Sequence, residues 1–379
     1  MALALVLSAC AARIPPIGAD GRVFAPEPDE QRLWARAEKD ATVLLERVRR
    51  YDDAALVARL TGLVERLTPD GVRAAGGPVP RVTVLRDPTL AAFALPDGRV
   101  FVHTGLLAVV ERDDQLALVL ARELAHVYRR HALAVWREEV APVRVVSVAA
   151  LGPTAAAILG ANLRVAALAA VTGYGDRLEA EADADARDAV ARAGWDPREA
   201  AKVWTVLARD LPGRGPLETF LLGNPTWLEA RGATAGATEA VAPSDPLDAG
   251  RRAVLRDNAA DDLRRGRFAL ARRQLDRVLA VAPDDALAYL VYGDLHRLQA
   301  QQAPTPDARD AEVRQARARY TRALALDPTL AEAHRQLGLL AYQQQNLGRA
   351  RAELEEYLRR APTAPDAARI GEYVRELGR

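Results

Sequence analysis

The chain has 379 residues, half of them apolar and 27% charged, with a formal net charge of +1. That is enough material for two or three domains, and the near-neutral balance argues against a protein held to nucleic acid by a strong basic field. A single cysteine, Cys10, and five histidines (His103, His126, His131, His296 and His334) exclude a disulfide scaffold and a cysteine-built zinc site. They also leave a short list for any histidine metal site.

The first ten residues, MALALVLSAC, form an apolar run ending Leu7-Ser8-Ala9-Cys10. A small-residue cleavage site after an apolar stretch reads as a secretory signal. With the only cysteine directly after the cut, it resembles the bacterial lipoprotein pattern. Residues 1–10 are therefore expected to be a lipoprotein-type signal with a lipid anchor at Cys10, facing the periplasm. Residues 11–30, rich in Pro, Gly and Ala, are expected to be a tether.

From Gln31 to Leu67, apolar residues recur at helical spacing and predict one or two amphipathic helices. A break at Thr68-Pro69-Asp70-Gly71 follows. Val82 to Leu85 predicts a strand, and Ala92 to Val102 two short strands around a Pro96-Asp97-Gly98 turn. Asp113 to Trp136 carries one long helical pattern. Val140 to Val171 is strongly apolar, but Gly152, Pro153, Gly160 and Arg164 interrupt it, so no run of about 18 or more apolar residues is left to span a membrane. A buried helical hairpin is expected there. Asp176 to Asp210 is helical again, and Pro, Gly, Ala and Ser then accumulate. These features place a first folded domain at 31–232, a linker at 233–250 and a second domain at 251–379.

The second domain repeats. Gly266, Phe268, Ala271, Leu275, Val278 and Pro283 are echoed by Gly293, Ala316, Tyr320, Ala323 and Pro328, then by Leu337, Gly338, Ala350, Leu354, Tyr357 and Pro362. Pro328 to Pro362 is 34 residues, the tetratricopeptide period. Pro283 to Pro328 is 45, and the excess is assigned to the polar stretch Gln299 to Asp310, between the two helices of the second repeat. Each helix pair leaves an apolar face for its neighbour to cover, small residues such as Gly293 and Gly338 let helices approach, and Asp366 to Leu377 would cap the stack. Such an α-solenoid offers a concave face to envelope or outer-membrane proteins and peptides. His296 and His334 are expected to have packing or surface roles there.

Arg122-Glu123-Leu124-Ala125-His126 is one residue away from the H-E-x-x-H pattern, in which two imidazoles four apart on a helix grip one Zn²⁺ and the Glu faces the metal-bound water. Glu179, with Asp183 four residues on, fits a third ligand from a later helix. His131 lies roughly 140° around a continuous helix from His126 and is not expected to help. His103, at a strand end, is expected to be a core residue.

With these motifs the chain resembles the HtpX/BepA-like peptidases, a group that includes the CAAX prenyl proteases. The likeness spans Leu33 to Ala233: Ala92-Phe93-Ala94-Leu95-Pro96-Asp97-Gly98, Gly105-Leu106-Leu107, Glu123-Leu124-Ala125-His126, Glu179 with Ala182-Asp183, and Ala193-Gly194-Trp195-Asp196-Pro197. The BepA-like branch also carries C-terminal tetratricopeptide repeats. The resemblance implies a mainly α (α+β) chain: a zincin-like domain with a small sheet, then the solenoid. It also implies zinc held by His126 and Glu179 with Glu123 as general base, Asp183 and Asn224 beside the ligands, and work on envelope proteins in the bacterial cell envelope.

The departures from the family are as specific as the matches. Arg122 stands at the first zinc-ligand position, Gly175-Asp176 replaces Ser-Arg, Asn224 replaces the His of a Thr-His-Pro motif, and Ala91 replaces an Asn. Two protein ligands are fewer than the three a catalytic zinc normally has, and arginine has no lone pair to offer. The expectation is a pseudopeptidase or chaperone-like protein without zinc. In it, Arg122 pairs with Glu179, and with Asp183, across the two helices. The competing expectations are an active zinc metalloendopeptidase of envelope quality control with an unusual ligand set, and a structural adaptor in which only the repeats matter.

Overall fold

The computed structural model describes residues 14–140, 174–210 and 249–378. The signal with Cys10, the apolar segment from 141 on, Asn224 and linker residues 233–248 lie outside the described residues. The chain divides into two units, Met1–Asp245 and Pro246–Arg379.

In the first unit, α1 (Pro28–Arg47) starts at Pro28, whose missing N–H costs nothing in a first turn, and the Glu30 carboxylate accepts from the Glu27 N–H at 3.3 Å. Helix α2 (Ala54–Leu67) is capped by the Asp53 carboxylate, which accepts from the Leu56 N–H at 3.0 Å, and it buries Leu56, Leu60, Val64 and Leu67 on one face. The expected break then contains one short helix, α3 (Asp70–Ala74). Strands β1 (Arg81–Leu85), β2 (Ala92–Ala94) and β3 (Arg99–His103) form a sheet in the order β1-β3-β2. Strand β3 is parallel to β1 and antiparallel to β2, and Gly98, with φ of 86°, makes the tight return between β2 and β3. Leu85, Phe93, Leu95 and Phe101 pack with Ala37 and Ala41 of α1 to seal one part of the core.

After α4 (Thr104–Val109) comes α5 (Asp113–Tyr128), which is buried almost all round and packs against α2, β2 and α7 (Asp176–Arg192). The single long helix expected to Trp136 is in fact two. Arg130 takes a left-handed φ of 58° and α6 (His131–Val140) sets off in a new direction. The helical block expected from 176 to 210 consists of α7, α8 (Pro197–Ala201) and α9 (Val203–Asp210).

The tether expectation fails from residue 14 onward. Ile17 is buried and its N–H donates to the Tyr128 carbonyl at 2.8 Å, while the Phe24 N–H donates to the Ala75 carbonyl at 2.7 Å. Arg130 donates to Glu30 and Glu27, and Arg137 to Asp29 and Glu27. The acidic residues at the end of the expected tether are thus a clasp that fastens the N-terminal segment to Arg130 and to Arg137 of α6.

The second unit is a succession of helical hairpins: α10 (Ala249–Arg264) with α11 (Phe268–Val281), α12 (Ala286–Gln301) with α13 (Pro306–Leu326), and α14 (Ala331–Gln343) with α15 (Leu347–Arg360). The end helix α16 (Ala367–Leu377) lays Ile370 against Leu354 and Tyr357. The eleven extra residues of the second hairpin do not form a loop. Most of them lengthen α12 and α13, because Thr305 and Pro306 restart a helix at once, with the Thr305 hydroxyl accepting from the Ala308 N–H at 3.2 Å.

Two glycines explain the close approach of paired helices. A Cβ at Gly293 would collide with the buried ring of Tyr320, and one at Gly338 would sit 2.7 Å from Leu354. Gly293→Ala should therefore destabilise the second unit by about 1–3 kcal/mol despite alanine's better helix propensity, measured as the shift of its thermal transition by circular dichroism. Among the described residues no helix is long and apolar enough to cross a membrane.

Candidate functional site

Helices α5 and α7 lie side by side and meet through charge. Arg122 and Arg129, seven residues apart, fall on one face of α5. Opposite them α7 presents Glu179 and Asp183, then Glu181 and Asp185, each pair four residues apart. The Arg122 guanidinium spends all three of its nitrogens there: Nε donates to Asp183 at 3.1 Å, Nη1 to Glu123 at 3.2 Å, and Nη2 to Glu179. Two turns on, Arg129 donates to Glu181 at 2.9 Å and to Asp185 at 2.6 Å. Only 15% of the Arg122 side chain and 11% of Glu179 is exposed, so water screens the first group little. The pairing of Arg122 with Glu179 and Asp183 is present as expected. Arg129 is its unforeseen continuation, although the seven- and four-residue spacings that produce it stand in the sequence.

Glu123 is buried beside this pair. Burial pushes its carboxyl up to about 7, against the pull of Arg122 and of the Ala94 N–H from β2. His126 packs face to face on Tyr174, with ring centroids 4.3 Å apart, and its Nε2 stands 3.7 Å from a Glu179 oxygen. The Tyr174 N–H donates to the other Glu179 oxygen at 2.7 Å.

His131 requires a correction. The expected 140° offset assumed a continuous helix, but the left-handed turn at Arg130 swings His131 back until its Nδ1 lies 2.9 Å from Nδ1 of His126. One ring donates and the other accepts. Burial pushes the His131 imidazole down to about 4, so it is neutral near pH 7. His103 is the core residue expected: it is buried, edge-on to Phe93, with Nδ1 3.8 Å from Asp87. Burial raises the Asp87 carboxyl, but His103 and Thr89 outweigh it and hold the group below the usual range.

Glu123 and His131 oppose each other in acid. The folded His131 titrates near 4 against about 6.5 unfolded, so acidification favours the unfolded chain and removes stability across that window. The folded Glu123 titrates near 7 against a normal 4.5, so acidification favours the folded chain over nearly the same window. Each is worth about 3 kcal/mol, and together they nearly cancel. Glu123→Gln should therefore lose about 3 kcal/mol more than the parent chain between pH 7 and pH 4.5, read from urea midpoints, and His131→Gln should show the reverse slope.

The zinc ligand set implied by the resemblance does not fit these residues. His126 and Glu179 are two ligands where catalytic zinc normally takes three. The first ligand position carries a permanent cation already bonded to the second carboxylate. Among the described residues no three His, Cys, Asp or Glu side chains are grouped to hold a metal ion. As it stands the cluster can hold two helices together and present a protonatable carboxyl in a buried setting.

Comparison with known proteins points to one family. Over 123 residues the chain is 36% identical to the mitochondrial metalloendopeptidase OMA1 of Schizosaccharomyces pombe, covering 32% of this chain and 35% of that protein. It is 32% identical over 134 residues to the protein of the same name from Saccharomyces cerevisiae, covering 34% of this chain and 36% of the other. A Vibrio cholerae protein named as a beta-barrel assembly-enhancing protease matches at 32% identity over 151 residues, 38% of this chain and 31% of the relative. The chain thus spans roughly a third of the length of these relatives. The model of peptidase family M48 matches residues 57–259, more than half of the chain and all of the α5–α7 cluster, so the chain belongs to peptidase family M48.

Proposed function

We propose that this chain is a non-hydrolytic member of family M48: a bacterial envelope lipoprotein, anchored at Cys10, that binds envelope proteins through its cleft and its tetratricopeptide-type hairpins. The observation that carries the reading is Arg122. At the first ligand position of R-E-L-A-H it is bonded to Glu123, Glu179 and Asp183 at once. A metal there would need the same Glu179 oxygens, and the guanidinium beside it would repel the dication. The 34-residue period and the hairpins of the second unit support a binding role, because such stacks expose long faces and carry no chemistry of their own.

The second reading is an active zinc endopeptidase of envelope quality control. The observation in its favour is the survival of Glu123, His126 and Glu179 together, with His126 and Glu179 3.7 Å apart, in a chain whose relatives are named metalloendopeptidases. Metal analysis with a casein assay decides between them. The non-hydrolytic reading expects purified protein with far less than one zinc per chain and no chelator-sensitive cleavage; near-stoichiometric zinc with such cleavage would establish the second.

A further inference from the structure

Many arginines in this chain meet carboxylates, but three in the second unit meet aromatic rings instead. Arg272 of α11 and Arg319 of α13 both lie over the ring of Tyr292 on α12, with guanidinium carbons 5.6 and 4.6 Å from its centroid. Arg319 and Arg322 also lie over Tyr289, at 5.9 and 5.8 Å. Arg272 donates to the Tyr292 hydroxyl at 3.2 Å and to the Gln299 side chain at 3.1 Å. Among the described residues none of the three forms an ion pair, and Nε of Arg319 is buried without an acceptor.

The nearby acids are committed elsewhere. The Tyr292 hydroxyl donates to Asp276 at 2.9 Å, and Glu312 is paired with His296 at 2.7 Å. Burial and then the positive field of Arg272 and Arg319 lower the His296 imidazole, against the pull of that same Glu312. Three cations held around two rings with no carboxylate bonded directly to any of them repel one another. Stacking holds guanidinium planes in place; Arg272 spends its terminal nitrogens on Tyr292 and Gln299, so the terminal N–H groups of Arg319 and Arg322 are the donors left to meet an acceptor. Carboxylates are the acceptors such donors fit.

We propose that Arg272, Arg319 and Arg322, stacked on Tyr289 and Tyr292, form a docking point for an acidic stretch of a partner polypeptide. An acidic peptide fits better than a nucleic acid. The ring faces are already covered by guanidinium groups and cannot stack bases, and Asp276 and Glu312 confine the positive field to a short patch. The proposal rests on reading the hairpins as a binding unit and names the chemistry of what they bind.

The test is fluorescence anisotropy of the full chain with a labelled oligoglutamate, an oligoglutamine of equal length and a single-stranded RNA. Expected are binding of oligoglutamate that weakens steeply with salt, and a loss on the order of tenfold in the Arg319→Gln/Arg322→Gln double variant. Arg309→Gln/Arg359→Gln, which removes two guanidiniums already paired with Asp310 and Glu356, should change affinity by no more than about twofold. Arg319→Lys, which keeps the charge but not the plane, should fall between, and circular dichroism checks that each variant is folded. Equal losses in the two double variants, equal binding of oligoglutamine, or tighter binding of RNA would each overturn the proposal. A chain that cleaves casein yet still binds oligoglutamate through these arginines would refute the non-hydrolytic reading and leave this one standing.

Discussion

Arg122→Ala should cost the first unit about 3–5 kcal/mol of stability, the range for removing one partner of a buried ionic group. The reason is what the substitution leaves behind. Glu123, Glu179 and Asp183 share one guanidinium, and their side chains are 8, 11 and 14% exposed. Without it, three carboxyl groups remain in a poorly hydrated space with no cation among them, since Arg129 is already engaged with Glu181 and Asp185. Adding Glu179→Gln and Asp183→Asn to Arg122→Ala should recover most of the loss, because uncharged groups need no counterion. Tryptophan fluorescence in urea follows the right unit: all five tryptophans (Trp34, Trp136, Trp195, Trp204 and Trp227) precede Pro246. A loss below about 1 kcal/mol, the range of an exposed ion pair, would show that Arg122 is a surface residue and not a cross-link.

What could be foreseen in this molecule followed periodicity and spacing, and what could not depended on single backbone torsions and on burial. The strand pair around Pro96-Asp97-Gly98 was legible because alternation and a turn residue coincide there. The Arg122–Glu179–Asp183 contact was legible through the family resemblance, which puts Arg122 and Glu179 at two ligand positions of one site, where opposite charges must meet. The position of His131 was not legible. A single left-handed residue, Arg130, converts a 140° offset into direct contact with His126, and nothing in Arg129-Arg130-His131 announces that angle. The N-terminal clasp was hidden for a different reason: Glu27, Asp29 and Glu30 look like solvated charges until Arg130 and Arg137 are brought to them from a hundred residues away. Tyr174 gave no signal at all, being one aromatic at the end of an apolar stretch, yet it stacks on His126 and fixes Glu179 through its N–H.

Arg122→His separates a vacated metal site from one that was never complete. On α5 the introduced imidazole would share a face with His126 four residues on. The remaining shell is already arranged. His126 Nε2 and the Glu179 oxygen stand 3.7 Å apart, close to the ~3.3 Å that separates two ligands of a tetrahedral zinc with bonds of about 2.0–2.1 Å. Nδ1 of His126 is tied to His131, which selects the tautomer and holds the ring, and Glu179 is held by the Tyr174 N–H. The variant should therefore take up close to one zinc per chain, measured by mass spectrometry of the metal after dialysis, while the parent chain does not. Its urea midpoint should become sensitive to chelator. Free zinc at about a hundred times its dissociation constant should stabilise it by about 2.7 kcal/mol, with no effect on the parent. Zinc uptake without proteolysis would mean that Arg122 alone blocks the metal and that other departures, such as Gly175-Asp176, keep the site silent. Failure to take up zinc in a folded variant would mean that α5 and α7 have settled to a spacing set by guanidinium and carboxylate, into which three ligands on one ion no longer fit.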